Sequence, residues 1–120
     1  MNIQYNISIN IEINNNGQKI SNGYISCQTL PALAYLSTNS LAASQEVVAE
    51  LQAQLANPNR DEFDWGADFC IINSQGEKST VEHNDMSAAN WRETFIYTDI
   101  PTATLLQLMQ DWVAVLSAVK

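Results

Sequence analysis

The densest run of charged side chains lies in the segment RDEFDWGADF, residues 60–69. Grouped carboxylates can act as general acid and base, ligate a metal ion, or attract a cationic partner. The segment contains these acids and one tryptophan: Asp61, Glu62, Asp64, Trp65 and Asp68. The acids lack the ligand order and terminal glutamate of an EF-hand loop. Carboxylate-pair hydrolysis would need two acids facing each other across a cleft. We interpret the segment as a surface for electrostatic binding.

Nucleophilic or metal-assisted catalysis would depend on His83, the one histidine of the chain. A nucleophile needs an adjacent base and a third group that orients the base, and neither Cys27 nor Cys70 lies in such a motif. Glu82, His83 and Asp85 are a poor ligand set, because a strand sends the first two to opposite faces. The glycines form no GxGxxG or GxxxxGK spacing. We predict no enzymatic activity, no cofactor and no metal site.

Charge limits the kind of partner. The chain has 120 residues, is 46% hydrophobic and has a net charge of −8, which suits one domain and disfavours nucleic-acid binding. Residues 1–60 hold three acids and two bases (net −1), whereas residues 61–120 hold ten acids and three bases (net −7). A basic protein is therefore the expected partner, and nucleic acid is not. The alternative is that the acidity only aids solubility.

The N-terminal sequence indicates the compartment. Residues 2–14 alternate apolar and polar side chains, unlike the cationic start and continuous apolar run of a secretory signal. No stretch approaches the roughly 20 apolar residues of a membrane helix. We expect a cytoplasmic protein without membrane association. Cys27 and Cys70 are expected as reduced, buried thiols, and a disulfide between them remains an alternative.

Hydropathy periods predict the first elements. Strict alternation over 2–14 predicts a strand with one buried face. The NNNG sequence at 14–17 favours a turn, so we predict a hairpin with a second strand at 18–28. Residues 40–56 have helical apolar spacing and end before Pro58.

The second half alternates strand and helix patterns. Aromatic and β-branched residues predict strands at 63–73, 78–83 and 91–98. A helix follows from about residue 101, with this apolar stripe: Leu105, Leu108, Met109, Trp112, Leu116 and Val119. The order β-β-α-β-β-β-α predicts a single α+β domain over residues 1–120, a mostly antiparallel sheet with two main helices packed on one face.

An antiparallel sheet can leave its other face open. Even-numbered and loop positions of the later strands would then form a negative surface around exposed aromatic anchors. We predict the following partner-binding residues: Asp61, Glu62, Asp64, Trp65, Asp68, Glu82, Asp85 and Trp91. The alternative places both tryptophans in the core and scatters the acids around the domain.

The segment FIYTDIPTATLLQLMQDWVAVL, residues 95–116, combines a strand, a proline-bearing turn and a Leu-Leu-x-Leu helix with a tryptophan. It resembles the C-terminal part of small bacterial immunity proteins of contact-dependent growth inhibition and polymorphic toxin systems. The corresponding parts are Phe95–Tyr97, Pro101–Thr102, Leu105–Leu106, Leu108 and Trp112. The resemblance implies a cytoplasmic, non-enzymatic antitoxin that is specific for one toxin domain. It transfers no site residue, because that family shares no site motif.

Resemblance and charge together predict an acidic immunity protein. It would cover the active site or substrate groove of a basic toxin, with a nuclease as one candidate. The main alternative is a secretion chaperone or adaptor that binds another protein as a dimer and exposes large apolar patches. A nucleic-acid mimic that inhibits a defence nuclease and a small-ligand or enzymatic domain are further alternatives. The sequence does not predict the oligomeric state.

Overall fold

An N-terminal hairpin opens the chain. The computed structural model describes residues 3–118, and within them Tyr5–Ile13 (β1) pairs antiparallel with Lys19–Cys27 (β2). The Asn14 side chain closes the connecting turn, because its Oδ1 accepts the backbone N–H groups of Asn16 and Gln18, each at 2.9 Å. The predicted hairpin is confirmed.

The later strands form a second antiparallel sheet in the order β3-β4-β5-β6. Its strands are Phe63–Ala67 (β3), Cys70–Gln75 (β4), Lys78–Asn84 (β5) and Phe95–Pro101 (β6). Residues 63–73, which we predicted as one strand, therefore contain most of two. The two-residue turn between them, residues 68–69, lacks Gly, Asn and Pro, the usual turn signals. The last strand begins later than predicted, because residues 91–93 form a 3-10 turn.

Two α-helices and one 3-10 helix complete the α+β domain. Pro31–Thr38 is the 3-10 helix, Leu41–Ala56 is α1, and Thr102–Ala118 is α2. The Ser40 side chain caps α1 by accepting the Ala43 N–H at 3.1 Å, as expected of a serine at the N-cap position of a helix. Both helices and the fold class agree with the prediction, except that Val119 lies outside the described residues. Within residues 3–118 no helix is both long and apolar enough to cross a membrane.

Helix α2 joins the two sheets through its apolar face. Leu105, Leu108 and Met109 are fully buried, and Trp112 is 1% exposed. At its start, the Thr102 N–H donates to the backbone carbonyl of the β4–β5 turn at 3.0 Å. The sheets thus share one core, while the outer surface of the four-stranded sheet stays uncovered by these helices.

The contact between α2 and the hairpin requires a glycine. A Cβ atom on Gly23 would lie 2.6 Å from Cη2 and 2.7 Å from Cζ3 of Trp112, far inside van der Waals contact. Gly23 lies opposite Ile9 in the β1–β2 pair. The missing side chain therefore lets the indole ring rest directly on the backbone of β2.

We predict that Gly23→Ala destabilises the protein by about 1–3 kcal/mol, because the added methyl group overpacks the Trp112 contact. The matched control is Ser21→Ala, on the same strand and the same face but exposed, where the change should stay within about 0.5 kcal/mol. Urea unfolding of both variants measures the difference. Equal stability of the two variants would mean that the glycine is not required by the tryptophan.

Candidate functional site

The four-stranded sheet has a buried face and an open face. Trp65, Ile72 and Val81 are opposite one another in the register and all lie in the core, 0–8% exposed. The neighbouring residues point the other way, because side chains alternate along a strand. On that side Ile71 is 43% and Tyr97 65% exposed. We call this second surface the open face.

Three carboxylates lie on the open face. Asp64, Asn73, Thr80 and Asp99 form one cross-strand row, and Ile71, Glu82 and Tyr97 belong to the next row. Each carboxylate accepts a hydrogen bond from a neutral neighbour: Asn73 Nδ2 to Asp64 Oδ1 at 2.7 Å, Thr80 Oγ1 to Asp99 Oδ1 at 3.1 Å, and Tyr97 Oη to Glu82 Oε1 at 3.3 Å. These donors orient the carboxylates and leave their charge intact.

The open face has little compensating positive charge. Arg60 forms the one ion pair within residues 3–118, with Glu50 at 2.7 Å and away from this face. Arg92 lies 5.1 Å from the centre of the Trp91 ring, a cation–π contact. Lys78 lies at the end of the face, opposite Pro101. The negative charge of Glu82 raises the pKa of the Tyr97 hydroxyl, which is the expected effect of an adjacent carboxylate.

The structure separates the four acids of residues 61–68. Asp61 and Glu62 precede β3 at one end of the sheet, whereas Asp68 lies in the turn at the opposite end. Only Asp64 lies on the open face, with Glu82, as predicted for even-numbered positions. These acids consequently line one edge of the sheet rather than converging on one point.

A buried glutamine fixes the segment before β3. Gln54 of α1 is fully buried; its Nε2 donates to the Asp61 carbonyl at 2.6 Å, and its Oε1 accepts the Gly76 N–H at 2.9 Å. One hydrogen bond satisfies a backbone group in the segment before β3, and the other satisfies one in the β4–β5 turn. Helix α1 thereby sets the position at which the edge strand enters the sheet.

Trp65 is a core residue, and our prediction that it is an exposed anchor is wrong. It is 8% exposed, and its Nε1 donates to Ser74 Oγ at 3.1 Å. Ser79 Oγ donates to the same Ser74 oxygen at 2.8 Å and lies 2.7 Å from Thr102 Oγ1. These bonds satisfy the indole N–H inside the core. The exposed aromatic positions of the open face are Phe95 and Tyr97 instead.

Trp91 lies at the end of the sheet that also carries Asp68 and Asp85. It is half-buried, and its ring meets Phe69 edge-on, with ring centres 5.9 Å apart. The Asp85 carboxylate accepts both the hydroxyl and the N–H of Ser87, at 2.6 and 3.1 Å. These bonds lower the pKa of Asp85. Trp91, Asp68 and Asp85 thus form a separate acidic end beside the open face.

Sequence reasoning missed Asp99, Tyr97 and Ile71 as members of the surface. Phe95, Tyr97 and Asp99 share one parity in the sequence, which was the available signal. The residues of the open face have odd numbers on β6 and even numbers on β3 and β5, because the length of each turn determines which residues of the next strand face the same way. Residue parity alone could not align the strands.

The features relevant to catalysis and metal binding are His83, the grouping of possible metal ligands, and a groove beside α1. His83 is half-buried, and its Nδ1 lies 3.2 Å from the Asn84 carbonyl oxygen. Within residues 3–118 no three His, Cys, Asp or Glu side chains are grouped so that they could hold a metal ion. One groove, about 760 Å³, is an open channel between α1 and β3. Its lining combines Val47, Phe63, Trp65 and three alanines with the charged side chains of Glu46, Glu50 and Arg60.

Comparisons with known protein families, with curated proteins and with solved structures found no match to this chain. A function for this chain has therefore to be inferred from its own residues. The most distinctive surface is the open face, where Glu82 lies between the exposed Ile71 and Tyr97, and Asp64 and Asp99 lie in the neighbouring row.

Burial should make the Cys70 thiol inert. Cys70 is fully buried, and loss of hydration raises the pKa of its thiol to about 12 from the usual 9.0, which lowers the thiolate fraction at neutral pH about a thousandfold. We predict that a thiol reagent such as DTNB modifies Cys70 only after unfolding in urea. Rapid modification of the native protein at pH 8 would contradict this burial.

The open-face acids should not be needed for stability. We predict that the double variant Glu82→Gln with Asp99→Asn unfolds within about 0.5 kcal/mol of the parent, because exposed charges contribute little. Asp111→Ala is the comparison: the Asp111 carboxylate accepts the Tyr5 hydroxyl and links β1 to α2, so removing the acceptor should cost about 1 kcal/mol. Urea midpoints distinguish the two, and a strongly destabilised double variant would assign a structural role to the acids.

Proposed function

We propose that this protein is an inhibitor of another protein: an acidic immunity protein that neutralises a cognate toxin domain. Its open face would lie over a basic surface of the toxin. The observation that supports this proposal is the set of three carboxylates, Asp64, Glu82 and Asp99, held by neutral donors beside the exposed Tyr97. A toxin that binds a phosphate backbone or another anionic substrate would offer the complementary positive groove.

Inhibition would combine electrostatic capture with steric occlusion. Opposite charge mainly accelerates association, and the net charge of the chain is −8. Once docked, an aromatic side chain near the centre of the contact contributes strongly to affinity. Tyr97, 65% exposed and hydrogen-bonded to Glu82, would supply this aromatic side chain from β6, at one edge of the open face. The face also carries Ile71 and Phe95, which supply apolar contact area.

The architecture favours tight binding because the face is already ordered. Its side chains project from four paired strands rather than from mobile loops. Asn73 and Thr80 hold Asp64 and Asp99 in place. Little conformational entropy is then lost on association, which is how pre-organised surfaces gain affinity.

A co-expression experiment tests the biological role. The C-terminal domain encoded by the adjacent open reading frame would be produced in bacteria with and without this protein. We expect toxicity of that domain alone, restored growth on co-expression, and co-purification of a complex. A neighbouring product that is neither toxic nor bound would contradict the proposal.

A charge-matched pair of variants tests the surface. Glu82→Gln with Asp99→Asn changes the net charge from −8 to −6, as does the control Glu12→Gln with Glu46→Gln, whose acids lie on β1 and α1. We predict that the open-face variant slows association with the toxin domain about tenfold or more at low salt, and that the control changes it much less. Stopped-flow kinetics at several salt concentrations measures this. Equal slowing by both variants would mean that only total charge matters.

A secretion chaperone or adaptor remains the second candidate, because the hairpin exposes apolar side chains. Ile11 is 59% and Ile13 71% exposed, and exposed apolar patches are typical of proteins that hold another chain. A chaperone would bind its client without relieving the toxicity of a folded toxin domain. The growth assay therefore separates the two functions.

A further inference from the structure

The N-terminal hairpin extends beyond the core. Strict alternation predicted one buried face for the whole strand, yet burial ends midway along it: Ile7 and Ile9 are partly buried, whereas Ile11 and Ile13 are exposed. The radius of gyration, 15.4 Å, exceeds the roughly 14 Å expected of a compact chain of this length. An apolar stripe on β1 therefore continues past the point where α2 covers it.

The hydrogen bonds of the hairpin show which backbone groups face outward. The Asn14 N–H donates to the Gln18 carbonyl at 2.9 Å, so Asn14 and Gln18 form a hydrogen-bonded pair one step beyond Ile13–Lys19, the last pair of the β1–β2 register. Such pairs alternate with non-bonded pairs along an antiparallel ladder. The even-numbered residues of β1 therefore bond to β2, and the odd-numbered ones direct their N–H and C=O groups away from it.

The opposite strand supports this assignment. Ile25 of β2 lies opposite Ile7, a non-bonded pair by the same rule. Its N–H indeed points away from β1 and donates to Ser37 Oγ at 2.8 Å. One edge of the hairpin is thus partly occupied by the segment that follows it.

No backbone hydrogen bond from elsewhere in residues 3–118 covers the β1 edge in this way. Its only strand partner within residues 3–118 is β2, and the register runs from Tyr5 to Ile13 without a bulge. Exposed edges in native proteins are usually protected by lysine, proline or bulges. Over β1 the sequence YNISINIEI contains none of these and has one charged residue, Glu12.

We propose that β1 pairs with β1 of a second copy of this chain, antiparallel and centred on Ile9, so that two hairpins form one four-stranded sheet. This surface is separate from the open face, and the proposal is independent of the toxin-binding function. The arrangement sets Ile9 against Ile9, Ile7 against Ile11, and Tyr5 against Ile13. Each pair can exchange two hydrogen bonds through the outward-facing groups.

The strand is complementary to itself in this register. Odd-numbered residues meet odd-numbered residues, so the isoleucines of both copies lie on the same side and cover one another. Ile11 and Ile13, exposed in a single chain, gain apolar neighbours. Glu12 lies opposite Asn6 of the second copy, so the two glutamates do not face each other. These features favour a second copy over an unrelated strand as the occupant.

Sedimentation equilibrium from micromolar to hundreds of micromolar protein tests the proposal. We expect the parent chain to reach twice its 13.3 kDa mass as concentration rises. Ile11→Pro removes one outward N–H without breaking a bond to β2 and should remain monomeric. Ser21→Pro, at the position opposite Ile11 but on the outer edge of β2, is the matched control and should still dimerise.

A second variant and a second readout protect the test against misfolding. Ile11→Lys replaces a side chain that is 59% exposed, so it should fold normally and also remain monomeric. In the dimer, hydrogen exchange at the amides of residues 7, 9 and 11 should slow with protein concentration. The proposal would be overturned if the parent chain stayed monomeric at every concentration, in which case this edge would have a different occupant or none. It would also be overturned if the dimer persisted in both Ile11 variants.

Discussion

Burial of one face of α2 is the interaction on which the rest of the structure depends. The hairpin and the four-stranded sheet share no strand pairing in the described part of the chain, so side-chain packing has to join them. The helix begins at Thr102, which is hydrogen-bonded to the turn after β4 and close to Ser79. Three turns later Trp112 rests on Gly23 of the hairpin. Large buried side chains along one stripe contribute most of the stability of such a joint.

This packing gives the sheet two unlike faces. On the inner side the polar groups of Trp65, Ser74 and Ser79 are hydrogen-bonded to each other, which limits the cost of burying them. On the outer side Asp64 and Asp99 are oriented by neutral donors and keep their charge. Alternate residues of the same strands thus pack in the core and form the exposed acidic surface. Substitutions on the open face can therefore leave the core intact.

The sequence predicted those features that depend on strong local periodicity. The β1–β2 hairpin, both helices and the α+β class follow from alternation over 2–14 and from helical spacing around Leu105 and Leu108. Two adjoining strands, β3 and β4, were merged, because the turn that separates them, Asp68–Phe69, contains no Gly, Asn or Pro. The alternating pattern predicted that Ile11 and Ile13 are buried, but both are exposed. Their burial depends on how far α2 extends along the hairpin.

The acidic character of the candidate surface could be predicted from the sequence, but only some of its residues could. An excess of acids after residue 60 is visible in the chain, and Asp64 and Glu82 do lie on one face. Nearness in sequence nevertheless misassigned Trp65, since neighbouring residues of a strand point to opposite sides. Asp99 joins Asp64 only through the pairing of four strands. Long-range register of this kind depends on tertiary packing.

Hydroxyl-radical footprinting of the protein, free and bound to the toxin domain, tests the central claim most directly. Oxidation reports the exposure of each side chain, and Tyr97 and Tyr24 provide a matched pair, 65% and 48% exposed on the open face and the hairpin. We predict strong protection of Tyr97 in the complex and unchanged oxidation of Tyr24. Protection of Tyr24 with Tyr97 still fully reactive would contradict the account.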